Sequence, residues 1–379
     1  MDNERPPQRN ADILGDLKKV SGRGRLHREE DGSRRLYRVG VVDPTTLLGQ
    51  ETLKLLNQRN FPFSEVQLFS SVASDLRRII INEEGEREEV TIHNISPRSF
   101  EGMDIVFFAG TRDLSTRYAH RAVEAGALVL DLSGGYRNKP GVPMVIPEVN
   151  FEEAKAALSG GRIIANPTDL TILLLTALYP LHLSAKLKRV IVDTYQSVSD
   201  GGREAVEELS SQTRRILQGQ AVIPHAMPHQ IAYNVLPETE VFRDNGYSVQ
   251  ENNVMAEVRR LIREPKLQVS LTTVRVPVLI GHSMSVHAEF SNLIGPEVAR
   301  EILSRAPGVV VRDDPTVSMY PQPWQVAGQD PVYVGRIRED ASLNTPVGIA
   351  FWLSADNLRK GAALNAMQVV EALIGLGMM

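Results

Sequence analysis

Across the first third of the chain, short apolar runs alternate with helical patterns, and this alternation narrows the fold more than any other feature. Leu36-Tyr37-Arg38-Val39-Gly40-Val41-Val42 is an apolar run of strand length that ends in a loop. Thr46 to Asn60 predicts a helix, with Leu47, Leu48, Leu53, Leu55 and Leu56 on or near one face. Glu65 to Ser70, Asp104 to Phe108 and Leu128 to Leu132 are further β-rich runs, and Tyr118 to Ala125 predicts a helix between the last two. Strands that alternate with helices require a parallel sheet covered on both faces.

The second half has a different texture. Val190 to Tyr195, Gln268 to Val278, Ser285 to Phe290 and Gly348 to Leu353 predict strands, while Gly202 to Gln218, Asn253 to Arg263 and Pro296 to Arg305 predict helices. Such segregation points to an α+β domain on a mixed or antiparallel sheet. With 379 residues the chain is too long for one core. The expected division is a charged tail over 1–35, an α/β domain over 36–165 completed by a C-terminal helix over 357–379, and an α+β domain over 166–356. The tail is rich in Arg, Asp, Glu and Gly and cannot bury enough apolar surface to offset its ordering entropy. It reads as a mobile segment or, alternatively, as a docking peptide that orders on a partner.

Composition excludes several classes. A net charge of −4 gives no electrostatic case for binding nucleic acid or an anionic membrane. The longest apolar stretch, Leu170 to Leu183, is too short to span a bilayer and contains Pro180 and His182. No apolar h-region follows the N-terminal Met1-Asp2-Asn3-Glu4-Arg5-Pro6-Pro7, so a cytoplasmic protein is expected. The chain has no cysteine, which removes disulfides, zinc-thiolate sites and any thiolate nucleophile. Asp169, Asp200 and His282 are conceivable metal ligands, but no short His/Asp spacing supports a site, and no metal is expected.

Three ordered segments carry a family resemblance. They are Pro228-His229-Gln230-Ile231-Ala232-Tyr233-Asn234-Val235, Arg275-Val276-Pro277-Val278 followed by Gly281-His282-Ser283, and Ala355-Asp356-Asn357-Leu358-Arg359-Lys360-Gly361-Ala362-Ala363-Leu364-Asn365. Together with Asn166-Pro167-Thr168-Asp169-Leu170-Thr171 at a helix start, they make roughly residues 37 to 379 resemble the aspartate-β-semialdehyde dehydrogenase family. The resemblance implies an N-terminal Rossmann-like domain, a C-terminal α+β catalytic and dimerisation domain, and NADP-dependent chemistry. Fold alone does not transfer activity, so each site is weighed separately.

The cofactor loop departs from the family. Where the family has Gly-Ala-Thr-Gly-Ala-Val-Gly, this chain reads Asp43-Pro44-Thr45-Thr46-Leu47-Leu48-Gly49, keeping only Gly49. Glycines there allow a tight turn and close approach to a pyrophosphate at a helix N-terminus. Asp43 would bring a carboxylate to that place, or Asp-Pro-Thr-Thr has become an ordinary turn and helix start. Ala73 stands where the family's arginine resembles a 2′-phosphate anchor, Ala109-Gly110-Thr111-Arg112 replaces Ser-Ala-Gly-Gly, and Leu132 replaces an asparagine. No cofactor is therefore expected, with Gly49 and Asn357 as degenerate remnants of an NADP site.

The catalytic position departs too. Asp169 aligns with the family's cysteine, and a carboxylate is a poor substitute for a thiolate that must attack an aldehyde and later leave. At a helix start, Asp169 or Thr168 is expected to act as a cap, worth about 1 kcal/mol. By resemblance, His282 matches the acid/base histidine, Gln196 the substrate-orienting glutamine, Arg275 the substrate-carboxylate arginine and Arg137 a phosphate-binding arginine. Gln250 and Asn253 stand where the family has glutamate and lysine. The expectation is an anion-friendly cleft for a small carboxylate or phosphate, in a dimeric protein without dehydrogenase activity. It would pair with itself or with an active paralogue. The alternative is an active enzyme, running the family reaction or using Asp169 and His282 for other acid/base chemistry.

Overall fold

A computed structural model describes residues 35–71, 76–81, 87–343 and 345–379. The expected charged tail, apart from Arg35, and Ala73 lie outside them. The described residues form two compact units: those up to 145, 152–166 and 366–379 make the first, and 146–151 with those of 167–365 make the second.

The first unit is built on a seven-stranded sheet in the order β3-β4-β2-β1-β5-β6-β7. Its strands are β1 Tyr37–Val42, β2 Phe63–Ser70, β3 Leu76–Ile81, β4 Arg87–Asn94, β5 Ile105–Phe108, β6 Leu128–Asp131 and β7 Ile163–Ala165. Every pairing is parallel except the edge pair β3–β4. All four residues of β5 and of β6 are buried, as a sheet covered on both faces demands. The helices of this unit include α1 Leu47–Gln58 and α2 Arg112–Glu124. From β1 the chain first moves outward to β2 and then returns to place β5 on the other side. That reversal creates a crevice beyond the carboxyl ends of β1 and β5, the usual ligand position in such sheets. The C-terminal segment is tied in by Arg59, which donates to both Glu371 oxygens at 2.8 Å, and by the Tyr37 hydroxyl donating to the Met379 carbonyl at 2.9 Å.

Two short helices follow, α3 Pro147–Asn150 in the second unit and α4 Glu152–Ser159 in the first. The second unit carries a mixed six-stranded sheet in the order β11-β12-β13-β10-β8-β9. The strands are β8 Leu187–Gln196, β9 Gln268–Arg275, β10 His282–Phe290, β11 Val309–Val311, β12 Val332–Glu339 and β13 Gly348–Ala355. Its helices are α5 Asp169–Ala185, α6 Gly202–Leu217, α7 Val249–Leu261, α8 Pro296–Arg305 and α9 Pro323–Val326. Helix α5 is buried continuously from Leu170 to Leu178, which explains an apolar run without amphipathic period. A π-turn over Arg359–Ala363 leads into α10 Leu364–Gly375. No helix of the described residues is long and apolar enough to cross a membrane.

Differences from the sequence expectation have local causes. Helix α7 begins at Val249, four residues before Asn253, because Ser248 and Glu251 form a reciprocal capping box. β12 escapes a periodicity search because its register shifts between Gly335 and Arg338, and Arg336 sits at φ +54°. β10 starts at His282 rather than Ser285, which brings His282 into the sheet. β3, β4, β7 and β11 are edge or near-edge strands that are too charged or too short to register as apolar runs.

The end of β12 is pinned to β10 by Asp340. Its Oδ1 accepts the Ser342 N–H at 3.0 Å and hydroxyl at 2.7 Å, and its Oδ2 lies 3.0 Å from His287 Nδ1. Burial pushes the Asp340 carboxyl up, but Ser342 and His287 together outweigh it and hold it below its ordinary value. A lowered folded value means stabilisation that is present above the unfolded pKa of about 3.9 and lost as pH falls through the folded value. Asp340→Asn should therefore melt at a lower temperature than the parent at neutral pH. The gap should close below about pH 3.9, as read by thermal denaturation across pH.

Candidate functional site

In the second unit the site grows from the N-terminus of α5. Pro167 precedes the helix, Thr168 occupies the cap position and Asp169 is the first helical residue. The Thr168 side chain makes no cap bond. Instead Glu257 of α7, 3% exposed, accepts the Thr168 N–H at 2.9 Å, the Thr171 hydroxyl at 2.7 Å and the Thr168 hydroxyl. Asp169 takes over part of the capping: its Oδ1 accepts the Leu170 N–H at 2.8 Å. Of the two expected caps, Thr168 holds the position without a side-chain cap bond, and Asp169, inside the first turn, accepts a single amide. Gly361 of the π-turn packs against it so closely that an added Cβ would lie 3.0 Å from the Asp169 Cβ.

The sheet supplies a row of three side chains. Gln196 of β8 pairs with Arg275 of β9. On the other side of β8, the step beyond the Ser283–Tyr195 pair places His282 of β10 beside Gln196. Neighbours in register project to the same face, so Arg275, Gln196 and His282 share one. His282 is fully buried, and its Nε2 lies 2.9 Å from Asp169 Oδ2, off the direction of a good N–H bond. Asp169, His282, Gln196 and Arg275, far apart in sequence, are therefore gathered in one unit as the family resemblance implied. Arg137 belongs to the first unit, where its Nε donates to the Asn166 carbonyl at 2.9 Å.

Several polar groups expected to line an anion cleft in the second unit are engaged within the chain. Arg275, 3% exposed, donates from Nη1 to the Ser197 carbonyl at 2.8 Å and from Nη2 to Asp200 Oδ2 at 2.7 Å. Gln196 donates to Thr194 Oγ1 at 3.1 Å and to Gln250 Oε1 at 3.0 Å. Asn357, expected at the cofactor, is 2% exposed. Its oxygen accepts from Ser197, Ser199 and Gly281 N–H, so it ties two loops together. Three polar atoms of the row remain buried without a hydrogen bond: Gln196 Oε1, an acceptor, Arg275 Nε, a donor, and His282 Nε2, which lies off line from Asp169.

The tautomer of His282 follows from its other nitrogen. Nδ1 accepts the Ser197 backbone N–H at 3.1 Å, and a backbone amide can only donate. The neutral ring then carries its proton on Nε2, facing Asp169. One consequence concerns metal. Ligand-type atoms of Asp169, Asp200 and His282 do lie within 4.8 Å of one another, a convergence that sequence spacing could not reveal. Nε2 in this tautomer offers no lone pair, so the donor set does not fit a metal ion. The other consequence concerns nucleophilic catalysis. Ser197 Oγ also lies 3.1 Å from Nδ1, but it is buried and already engaged by Ser199 and Asn357 rather than held ready as a nucleophile.

The crevice of the first unit is organised by Asp43, which follows β1 with φ +56°. Glycine is the natural residue in that left-handed region, and aspartate is among the few others that tolerate it. Asp43 is 8% exposed, and its Oδ1 accepts the Ser70 hydroxyl at 2.9 Å. Thr46 caps α1 by accepting the Gly49 N–H at 2.9 Å, and its hydroxyl reaches the Asp43 and Ala109 carbonyls. Gly49 is required by the loop itself, since a Cβ there would lie 2.3 Å from the Asp43 carbonyl oxygen. Beyond β6, buried Asp131 accepts from Ser115, Ser133 and the Tyr136 N–H and shapes the turn that carries Arg137.

Sequence reasoning missed Glu257 and the role of Asp200. Glu257 had a signal: it is a charged residue within the buried Val254, Val258 and Leu261 stripe of α7. Asp200 had none, because its partner lies 75 positions away.

These two units define a class: a dinucleotide-type α/β sheet joined to an α+β sheet that carries a buried histidine, arginine and glutamine. The semialdehyde dehydrogenase NAD binding domain matches residues 38–157, and the semialdehyde dehydrogenase dimerisation domain matches residues 178–360. The aspartate-semialdehyde dehydrogenase of Aquifex aeolicus is 42% identical over 344 residues, spanning 90% of this chain and 99% of its own. That of Bacillus subtilis is 40% identical over 343 residues, spanning 88% and 96%. Among solved structures, aspartate semialdehyde dehydrogenase II from Vibrio cholerae, complexed with ASA, matches with a TM-score of 0.84 at 34% identity, covering 90% and 99%. The chain belongs to the semialdehyde dehydrogenase family.

Burial raises the Asp43 carboxyl above its ordinary value, and hydrogen bonds from the Ser70 hydroxyl and the Ser71 N–H lower it only in part. A raised folded value means stability that is present below the unfolded pKa and lost as pH rises through the folded value. Asp43→Asn keeps the shape and tolerates positive φ, so it should melt higher than the parent at neutral pH. That gain should shrink as pH falls and Asp43 protonates, as followed by thermal melts across pH.

Proposed function

We propose that this protein is a semialdehyde dehydrogenase family member that binds a small polar metabolite without the family's covalent redox chemistry. The observation that carries the reading is Asp169: the residue at the nucleophile position is a carboxylate held by the Leu170 N–H and facing His282, in a chain without a cysteine. A carboxylate adds weakly to an aldehyde and would give a mixed anhydride rather than a thioester. The buried acceptor Gln196 Oε1 and donor Arg275 Nε support a ligand that offers both donor and acceptor groups. The match to the family's dimerisation domain supports a homodimer.

Purified protein should show no NADP-dependent, phosphate-dependent oxidation of aspartate semialdehyde; detectable turnover overturns the reading. Asp169→Cys supplies the only thiol, at a helix N-terminus that lowers a thiol pKa. Its alkylation by iodoacetamide at neutral pH should outpace that of a free cysteine peptide, while NADP-dependent turnover stays absent.

A second reading is favoured by the 42% identity to a relative named as the enzyme and by the Asp169–His282 contact. In it the chain is a divergent enzyme that uses Asp169 and His282 as an acid/base pair. Asp169→Asn should then abolish a turnover found by metabolite screening. Retention of that turnover ends this reading.

A further inference from the structure

The crevice of the first unit is where an open α/β sheet of this order accepts a ligand, because the connections after the parallel neighbours β1 and β5 lead to opposite sides of the sheet order. What a phosphate needs there is a set of donors at the helix start and room for its oxygens against bare backbone. Both are present in the loops after β1, β2 and β5, and both are consumed from within. The Ser70 hydroxyl and the Ser71 N–H donate to the Asp43 carboxylate. Its Oδ2 lies where a Cβ on Gly110 would sit, 2.0 Å from that virtual atom, so the carboxylate rests on the one glycine of the facing loop. At the start of α1 the Gly49 N–H is likewise taken from within, by the Thr46 hydroxyl.

We infer that Asp43 is a built-in occupant of the phosphate position, a carboxylate that stands in for a ligand and closes the first unit to dinucleotides. Charge and volume act together. A planar anion of phosphate-like polarity satisfies the donors, and its negative charge opposes a pyrophosphate brought beside it. The backbone at Asp43 is already in the region glycine prefers, with φ +56°, so removal of the side chain leaves the loop in its present path. The chain therefore retains a dinucleotide crevice that one side chain fills. The inference deepens the reading of the chain as a protein without redox chemistry, and rests on it only in the choice of cofactor probe.

The test is binding rather than turnover. NADPH fluorescence and titration calorimetry with NADPH and ADP are applied to the full chain and to Asp43→Gly and Asp43→Asn. The parent should show no saturable binding at millimolar nucleotide. Asp43→Gly should bind both probes at least tenfold more tightly than the parent, and Asp43→Asn, which keeps the volume, should gain much less. Far-UV circular dichroism and melting of Asp43→Gly verify that the sheet is intact. Micromolar NADPH binding by the parent overturns the inference, as does a folded Asp43→Gly variant that still binds neither probe. An Asp43→Asn variant that binds as well as Asp43→Gly overturns the role of volume. NADPH binding by a parent without turnover defeats the inference alone, whereas NADP-dependent turnover by the parent defeats the functional reading as well, so the two failures are distinguishable.

Discussion

The second unit's site depends on how one helix begins. Three donors from the first turn of α5 converge on the Glu257 carboxylate, which α7 holds in the interior. A buried carboxylate that accepts several hydrogen bonds is stable only if all of them are made together, so it fixes the helix start against α7. With α5 fixed and Gly361 packed against it, Asp169 has little freedom and is presented to His282. The row Arg275, Gln196 and His282 is fixed separately by strand register. The site is the meeting of a clamped helix start with the ends of three neighbouring strands.

Each unit shows the same physical solution independently. Donors that could receive a ligand are met by a carboxylate of the chain itself: Asp43 in the first unit, Asp200 for Arg275 in the second. Internal pairing of this kind relieves the cost of buried, unmatched polar groups. It also changes what a retained family residue signifies. Arg275 and Asn357 survive in motifs that match the family, yet their terminal polar atoms are spent on Ser197, Asp200, Ser199 and Gly281. Presence in a motif is a statement about the frame, and availability is a separate, geometric one.

Much of the fold was legible because burial imposes a period. Continuous apolar runs marked β1, β5 and β6, which are covered on both faces, and unbroken apolarity marked α5. The strands that were missed are those whose pattern is broken by a register shift, as in β12, or which lie near an edge, as do β4 and β11. The start of α7 was legible in principle from Ser248 and Glu251, a reciprocal cap that needs no tertiary information. Of the site, the residue types and their family positions could be read, including Asp169 in place of a cysteine. Asp200 could not, since nothing local marks a carboxylate in the turn after β8 whose partner lies on β9.

The sequence by itself determined that no thiolate chemistry exists in this protein, because that rests on composition, and it determined the two-sheet architecture, because hydrophobic period is local. It also placed a carboxylate at the loop after β1. Only the tertiary structure decided which polar groups are spent and which remain. That Asp43 rests on Gly110, that Asp200 takes Arg275, and that the Ser197 amide sets the tautomer of His282 are facts of strands and loops brought together from distant positions. Hydrogen bonds are short-ranged and directional, so those between segments distant in sequence are settled by the final packing and leave no trace in the spacing of residues along the chain.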